Sequence, residues 1–140
     1  MMTMEADAKP KIIAVDFDGT LCENQWPEIG PPNEEVIRYI LNEQKKGAKL
    51  ILWTNRSSVE LLAAILWCKN QGIRFDAVNE NLPEIIKAFG GRDCRKVFAD
   101  EYIDDSANTR FNLPYISHET MQNRLTCTYN SLLKEFTEKR

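Results

Sequence analysis

The sequence has few of the residue patterns that structural metal sites, disulfide bonds or membrane-spanning helices require. It contains one histidine, and its four cysteines, Cys22, Cys68, Cys94 and Cys127, form no C-x-x-C pair. A zinc site is therefore not expected, and cysteines that stand singly are typical of a reducing compartment. No apolar run approaches the roughly 18 residues that a membrane-spanning helix needs. We predict a cytoplasmic protein without a membrane partner.

Charge and glycine or proline content exclude further classes. Eighteen Lys and Arg against 21 Asp and Glu give a net charge of −3 without a basic run, which argues against a nucleic-acid partner. Six Gly and six Pro beside 43% hydrophobic residues exclude a low-complexity or disordered chain. A length of 140 residues suits one domain. We predict a flexible leader over 1–10 and a single domain over 11–140.

Short apolar strands alternate with helical patterns along the chain. The predicted strands are Ile12–Val15, Leu50–Trp53, Phe75–Val78, a segment within Val97–Ile103, and Leu113–Ile116. Alternation at this spacing implies right-handed crossovers and a mainly parallel sheet covered on both faces. The predicted fold class is therefore α/β, a doubly wound three-layer α/β/α sandwich.

Capping residues and apolar periodicity predict the helices. The expected starts are Asn33, Ser57 with Glu60 as a capping box, and Asn81 with Glu84. The segment Leu61–Trp67 is apolar nearly all round, which predicts a deeply buried helix. A last helix is indicated by a stripe of Met121, Leu125, Tyr129, Leu132 and Phe136.

Polar residues follow or approach the predicted strand ends. They are Asp16, Asp18, Thr54, Lys96, Asp104 and Asp105. In open parallel sheets the ligand binds beyond the carboxyl ends of the strands, so the fold would collect these residues at one edge. Asp16 and Asp18 flank one residue, so their side chains are expected to share one site. Carboxylates gathered there repel one another, and a hard cation such as Mg²⁺ would relieve the repulsion. A phosphoryl group is the expected guest.

Four segments resemble the motifs of the haloacid dehalogenase superfamily, whose members are mostly phosphatases. Asp16-Phe17-Asp18-Gly19-Thr20-Leu21 after an apolar strand is similar to the first motif, and Leu52-Trp53-Thr54-Asn55 to the second. Lys96 resembles the third, and Tyr102-Ile103-Asp104-Asp105 the fourth. The resemblance covers about residues 11–105 in the order of the family and implies a haloacid-dehalogenase-like Rossmannoid domain.

The resemblance also implies a role for each matching residue. Asp16 would be the nucleophile and Asp18 the general acid/base, while Thr54, Asn55 and Lys96 would bind the phosphoryl group. The Mg²⁺ ligands would be Asp16, Asp104 and the backbone carbonyl of Asp18. Asp105 would be a further ligand or would orient water and Lys96. The presence of Asp18 favours phosphate chemistry, because dehalogenases of the family lack this second acid.

Members of the family usually carry a cap domain over the site. Residues 21–32 leave room only for a flap, and residues 73–95 hold little beyond a strand and a helix, so a capless member is expected. The predicted function is a Mg²⁺-dependent phosphatase that acts on a small phosphorylated substrate through an aspartyl-phosphate. A homo-oligomer would cover the open site; the alternative is a monomer that its own substrate covers.

Two other classes remain as alternatives. A signalling receiver domain also uses acids, Mg²⁺, Thr and Lys, but its acidic pair comes first and its phosphorylated Asp follows the third strand. A non-catalytic module that binds phosphoryl groups or Mg²⁺ would not need both Asp16 and Asp18.

Five further residues have alternative interpretations. Arg56 either contacts a second anionic group or is an exposed surface arginine, and Arg92 and Arg95 are substitutes for Lys96. Trp26 either stacks on the leaving group or packs. Cys22 lies either beside the site or in the core.

Overall fold

The computed structural model describes residues 9–106, 111 and 118–138. These residues form six strands and four helices. In chain order they are β1 (Ile12–Val15), β2 (Cys22–Gln25), β3 (Glu28–Pro32), α1 (Glu34–Lys45), β4 (Lys49–Leu52), α2 (Ser58–Asn70), β5 (Ala77–Val78), α3 (Pro83–Ala88), β6 (Glu101–Ile103) and α4 (His118–Glu138). The predicted strand Leu113–Ile116 lies outside the described residues.

The main sheet has four parallel strands in the order β5-β4-β1-β6. The last residue of β1, Val15, pairs with Leu52 of β4 and with Ile103 of β6. The strands β4, β1 and β6 therefore end at the same level, and the residues that follow them emerge at one edge. The mixed α/β class with a mainly parallel sheet is confirmed.

The strands β1 and β4 are buried on both faces of the sheet, as the continuous apolar run in β1 predicted. Ile13 and Val15 belong to one core cluster, which also receives the buried residues of α1 and α2. Ile12 and Ala14 belong to a second cluster, which contains Leu82 just before α3. Full burial of each Ile or Val side chain contributes roughly 1.5–3 kcal/mol, so β1 is the centre of the hydrophobic core.

The flap expected over residues 21–32 is an antiparallel hairpin of β2 and β3 with a register shift between Cys22 and Asn24. The peptide bond between Trp26 and Pro27 is cis. The sequence did not indicate strands here because Gly30, Pro31 and Pro32 are poor strand formers.

The predicted side-chain caps were wrong. Asn33 holds the position before α1, but its amide donates a hydrogen bond to the Thr20 carbonyl (2.9 Å) instead of capping. Ser57 precedes α2 without a capping bond from its side chain. Asn81 lies one residue before the cap position of α3 and is buried, accepting a hydrogen bond from the Phe98 backbone N–H. The side chains of Asn33 and Asn81 therefore bind distant segments instead of the helix ends.

The expectation that α2 is deeply buried was also wrong. Only Ala64 and Cys68 of this helix are fully buried. Val59, Leu62 and Leu66 are 75%, 57% and 52% exposed. The helix contacts the sheet along one stripe, so its second apolar face is left at the surface.

The C-terminal helix was predicted correctly, and α4 spans 21 residues. Leu125, Tyr129, Leu132 and Phe136 are exposed along it, while the side chain of Met121 is outside the described set. None of the helices in the described part of the chain has the length and apolar content needed to cross a bilayer.

Candidate functional site

A cavity of about 180 Å³ opens at the carboxyl edge of the sheet. It is lined by Asp16, Trp53, Thr54, Asn55, Asn79 and Asp104. The hydrogen bond from the Asp16 backbone N–H to the Ile103 carbonyl (2.9 Å) fixes the exit of β1 against that of β6. Pockets for drug-sized ligands usually measure roughly 300–1,000 Å³. This cavity therefore suits a small group or one end of a larger molecule.

A larger groove of about 610 Å³ lies beside α1, lined by residues that include Arg38, Tyr39 and Phe111. It is more open to solvent than the cavity at the strand ends. We place the candidate site at the strand ends, because the carboxylates that could perform chemistry or bind a metal meet there.

Three carboxylates meet beside the cavity. One carboxylate oxygen from each of Asp16, Asp104 and Asp105 lies within 4.8 Å of the others. The buried Thr20 connects two of them: its hydroxyl donates to Asp16 Oδ2 and accepts from the Asp105 backbone N–H, both at 3.0 Å. Thr20 was not predicted to have a role of its own, although its place within the first motif was the available signal.

Burial and mutual repulsion disfavour the charged forms of Asp16 and Asp105. Burial, followed by the charges of Asp104 and Asp105, raises the pKa of Asp16 well above its usual value. Burial is also the main cause that raises the pKa of Asp105 to about 6. A divalent cation would remove this penalty, and an all-oxygen donor set suits Mg²⁺. The residues present therefore fit the metal that the sequence predicted.

Gly19 allows the first loop to turn beside this cluster. Its φ angle is +83°, in the left-handed region, and a Cβ at this position would collide with the Asp105 carboxylate. Only glycine permits both the backbone conformation and the close approach of Asp105.

Thr54 and Asn55 line the cavity, and their binding of a phosphoryl group stays a prediction. The Thr54 hydroxyl accepts a hydrogen bond from the Arg56 backbone N–H (3.1 Å). The O–H of Thr54 can therefore donate a hydrogen bond to a ligand in the cavity. Asn79, which was not predicted, accepts a bond from the Thr54 backbone N–H (2.8 Å). Its position directly after β5 was the missed signal, because it too follows a strand end. Trp53, directly after β4, lines the cavity and also packs on the second core cluster.

Lys96 does not line the cavity. Its side chain is exposed, with Nζ 6.0 Å from the centre of the Tyr102 ring. The chain after it approaches the opposite edge of the sheet, where the Asp100 backbone N–H donates to the Ile12 carbonyl at the start of β1 (2.8 Å). Arg92 and Arg95, the suggested substitutes, are exposed and do not line the cavity either. Within the described residues, the cavity therefore has no lysine or arginine in its wall.

Asp18 and Asp16 do not share one site, contrary to the expectation from their spacing. Both carboxylate oxygens of Asp18 accept hydrogen bonds from Arg56, one from Nε and one from a terminal nitrogen, each at 2.7 Å. Asp18 is not among the residues that line the cavity. The turn after β1 thus directs the two carboxylates to different partners. Metal ligation by the Asp18 carbonyl stays a prediction.

Arg56 is neither exposed nor available for a second anion. Its side chain is 1% exposed, and that of Asp18 is 13% exposed. The guanidinium lies 4.9 Å from the centre of the Trp26 ring and 5.0 Å from that of Phe17. Both interpretations of Arg56 from the sequence are therefore replaced by a buried ion pair, and Trp26 stacks on a protein cation.

Cys22 lies in the core. Its side chain is buried, and its Sγ lies 3.8 Å from the Phe17 carbonyl oxygen. Burial, with the nearby charge of Asp18 as the next cause, raises the pKa of the thiol to about 12. A buried thiol held in its protonated form is a poor nucleophile.

Comparison with known proteins gives one informative relationship. No family model matches the chain, and neither does any curated protein. The chain is similar to the solved structure of a conserved protein coded by a locus from Bacteroides thetaiotaomicron. The two are 37% identical with a TM-score of 0.61, and the match covers 71% of this chain and 78% of that one. The chain belongs to the same family as that conserved protein, and its sheet is consistent with a Rossmann-like fold.

Proposed function

We propose that this protein is a capless Mg²⁺-dependent phosphatase of the haloacid dehalogenase type. It hydrolyses a phosphate monoester through an aspartyl-phosphate on Asp16. The observation that carries the proposal is the meeting of Asp16, Asp104 and Asp105 within 4.8 Å beside a small cavity that Thr54 and Asn55 also line. A cation would offset the mutual repulsion of these partly buried carboxylates, and a cation beside a nucleophilic carboxylate suits phosphoryl transfer.

The proposal includes a doubly wound arrangement in three layers. Two facts support it: β1 lies inside the order β5-β4-β1-β6, and alternate residues of β1 enter different core clusters. A parallel sheet with helices on both faces has its binding crevice where the candidate site lies.

Mg²⁺ would be held by the carboxylates of Asp16, Asp104 and Asp105, with the backbone carbonyl of Asp18 as a further ligand. When bound, it supplies positive charge that offsets both the carboxylates and the phosphoryl oxygens. The Thr54 hydroxyl and the Asn55 amide would donate hydrogen bonds to phosphoryl oxygens. Since no lysine or arginine lines the described cavity, these neutral donors carry more of the binding than in a site with a cationic side chain.

The reaction then needs two carboxylates in different roles. A carboxylate oxygen of Asp16 forms a bond to phosphorus while the bond to the leaving oxygen breaks, and Asp18 gives that oxygen a proton. In the second half, Asp18 takes a proton from water as the water oxygen attacks phosphorus. The bond to Asp16 breaks and phosphate is released. In the structure the two carboxylates have different partners: Asp16 lies beside Asp104 and Asp105, and Asp18 pairs with Arg56.

The test is turnover of p-nitrophenyl phosphate with Mg²⁺ and with EDTA, by the wild type and by Asp16→Asn. We expect activity that requires Mg²⁺ and is lost in the variant. Binding of Mg²⁺ and phosphate without turnover by the wild type would instead support the non-catalytic module.

The exposed apolar faces of α2 and α4 support the further proposal of a homo-oligomer that shields the site. Light scattering over a dilution series, with specific activity measured in parallel, tests it. A monomer with undiminished activity at every concentration would contradict it.

A further inference from the structure

Arg56 uses every hydrogen-bond donor of its side chain. Nε and one terminal nitrogen bind Asp18, and the same terminal nitrogen donates to the Glu28 carbonyl (2.9 Å). The other terminal nitrogen donates to the carbonyls of Pro27 (3.1 Å) and Glu60 (3.4 Å). Five donors thus meet five acceptors, which is all that a guanidinium can offer.

These acceptors belong to three separate parts of the chain. Asp18 lies in the loop that carries the nucleophile, Pro27 and Glu28 lie in the β2–β3 hairpin, and Glu60 lies in the first turn of α2. The ring of Trp26, at the tip of the hairpin, covers the guanidinium. The hairpin and Asp18 are therefore joined through one side chain.

Burial makes this junction cooperative. A guanidinium or carboxylate removed from water is costly unless its charge is paired and its hydrogen bonds are made. If Asp18 turns away, Arg56 keeps an uncompensated buried charge, and if the hairpin moves away, Arg56 loses two acceptors and the Trp26 ring. Each part therefore favours the described position of the other.

We propose that Arg56 is a positioning residue that couples the β2–β3 hairpin to Asp18, so that hairpin position and acid/base orientation are set together. The coupling itself follows from the contacts. Its effect on turnover rests on the proposed function. Arg56 acts through Asp18 and touches neither the cavity nor a substrate.

Hydrogen exchange of the full-length protein tests the coupling without any activity. We expect Asp18→Asn and Arg56→Lys each to speed exchange of the amides of residues 22–32, with Arg74→Lys, at an exposed arginine, as the matched control. Asn presents an N–H₂ group where Arg56 needs an acceptor, and Lys cannot form the bidentate pair. Unchanged exchange of the hairpin in folded Asp18→Asn would overturn the coupling.

Kinetics test the positioning role. Arg56→Lys is expected to lower kcat by up to about 100-fold for an alkyl phosphate, as for a misplaced catalytic group. The loss should be smaller for p-nitrophenyl phosphate, whose leaving group needs little protonation, and KM should stay near the wild-type value for both. Arg56→Met should lose more than Arg56→Lys, and Asp18→Asn should likewise lose more activity on the alkyl phosphate than on p-nitrophenyl phosphate. Equal losses on both esters, a rise in KM at constant kcat, or a gain in kcat would each overturn the role.

A failure of the proposed function and a failure of the proposed coupling would give different results. If the wild type hydrolyses neither ester, the proposed function fails, and hydrogen exchange still decides whether Arg56 couples the hairpin to Asp18. Thermal unfolding of each variant identifies any that do not fold. Hydrogen exchange of the Asp18→Asn variant still tests the coupling even if both Arg56 variants unfold.

Discussion

Asp16 and Asp18 stand two residues apart in one loop, yet their surroundings are opposite. Asp16 faces two other carboxylates, and burial and repulsion raise its pKa. Asp18 is held by a buried arginine through both of its oxygens. The buried ring of Phe17 separates them in the chain. The contrast teaches that tertiary neighbours, and not residue type or spacing, assign different chemistry to the two acids.

The strongest test of the contrast is Asp16→Asn. We expect activity to fall by roughly 10⁴-fold or more, because the amide cannot attack phosphorus. In EDTA the variant should be at least as stable as the wild type, because one of three repelling carboxylates is gone. Activity assays and urea unfolding measure the two effects. A large loss of stability in EDTA would show that the cluster is not electrostatically strained.

Gly19→Ala should cause the next largest effect. The new methyl group meets the Asp105 carboxylate and the backbone stays in the left-handed region, so we expect a loss of about 2–4 kcal/mol in urea unfolding. Gly90→Ala is the matched control, because its φ is +73° but nothing lies within 4 Å of the new Cβ. It should lose only about 1–2 kcal/mol. Equal losses would mean that Asp105 yields to the methyl group.

Thr20→Val removes the hydroxyl that joins Asp16 to the Asp105 backbone. The partly buried Asp105 N–H loses its acceptor, which should lower the free energy of unfolding by about 1–3 kcal/mol. Thr137→Val, at an exposed position of α4, should change it by less than about 0.5 kcal/mol. If the two variants unfold alike in urea, the Thr20 bridge contributes nothing to the cluster.

The smallest expected effect is a pH dependence of the free energy of unfolding that arises from Asp105, one of the carboxylates beside Asp16. Folding raises the pKa of Asp105 from 3.8 to about 6. The folded state therefore binds more protons between these values, and in EDTA its free energy of unfolding falls as pH rises through that range. The loss relative to Asp105→Asn should be about 1–2 kcal/mol, allowing for solvent screening. Parallel stability curves for the two proteins from pH 4 to 7 would exclude this linkage.

Local sequence patterns predicted the features that depend on a single strand or a single helix. The run Ile12–Val15 indicated a strand buried on both faces, and the periodicity of Val36, Ile37 and Ile40 indicated α1. The strand-end rule brought Asp16, Thr54 and Asp104 to one edge. The same rule failed for Lys96, because it lies well before β6 and the intervening chain approaches the far edge of the sheet.

Local sequence patterns could not predict how deeply α2 is buried or which hydrogen-bond partners the polar side chains find. The apolar residues around Leu62 and Leu66 indicate that burial of this segment would be favourable. One face of a sheet contacts only one stripe of a helix, however, so these two side chains stay exposed. Likewise Asn33 and Asn81 have the chemistry of caps, and acceptors and donors from distant segments bound them instead.

The sequence by itself determined the alternation of strands and helices and the placement of Asp16 and Asp104 after their strands, because hydrophobic periodicity and chain order act locally. Only the tertiary structure decided that Asp16 meets Asp104 and Asp105 while Asp18 pairs with Arg56. The reason is physical: a buried charge must be paired, and its partner comes from whichever distant segment packing brings within hydrogen-bond distance.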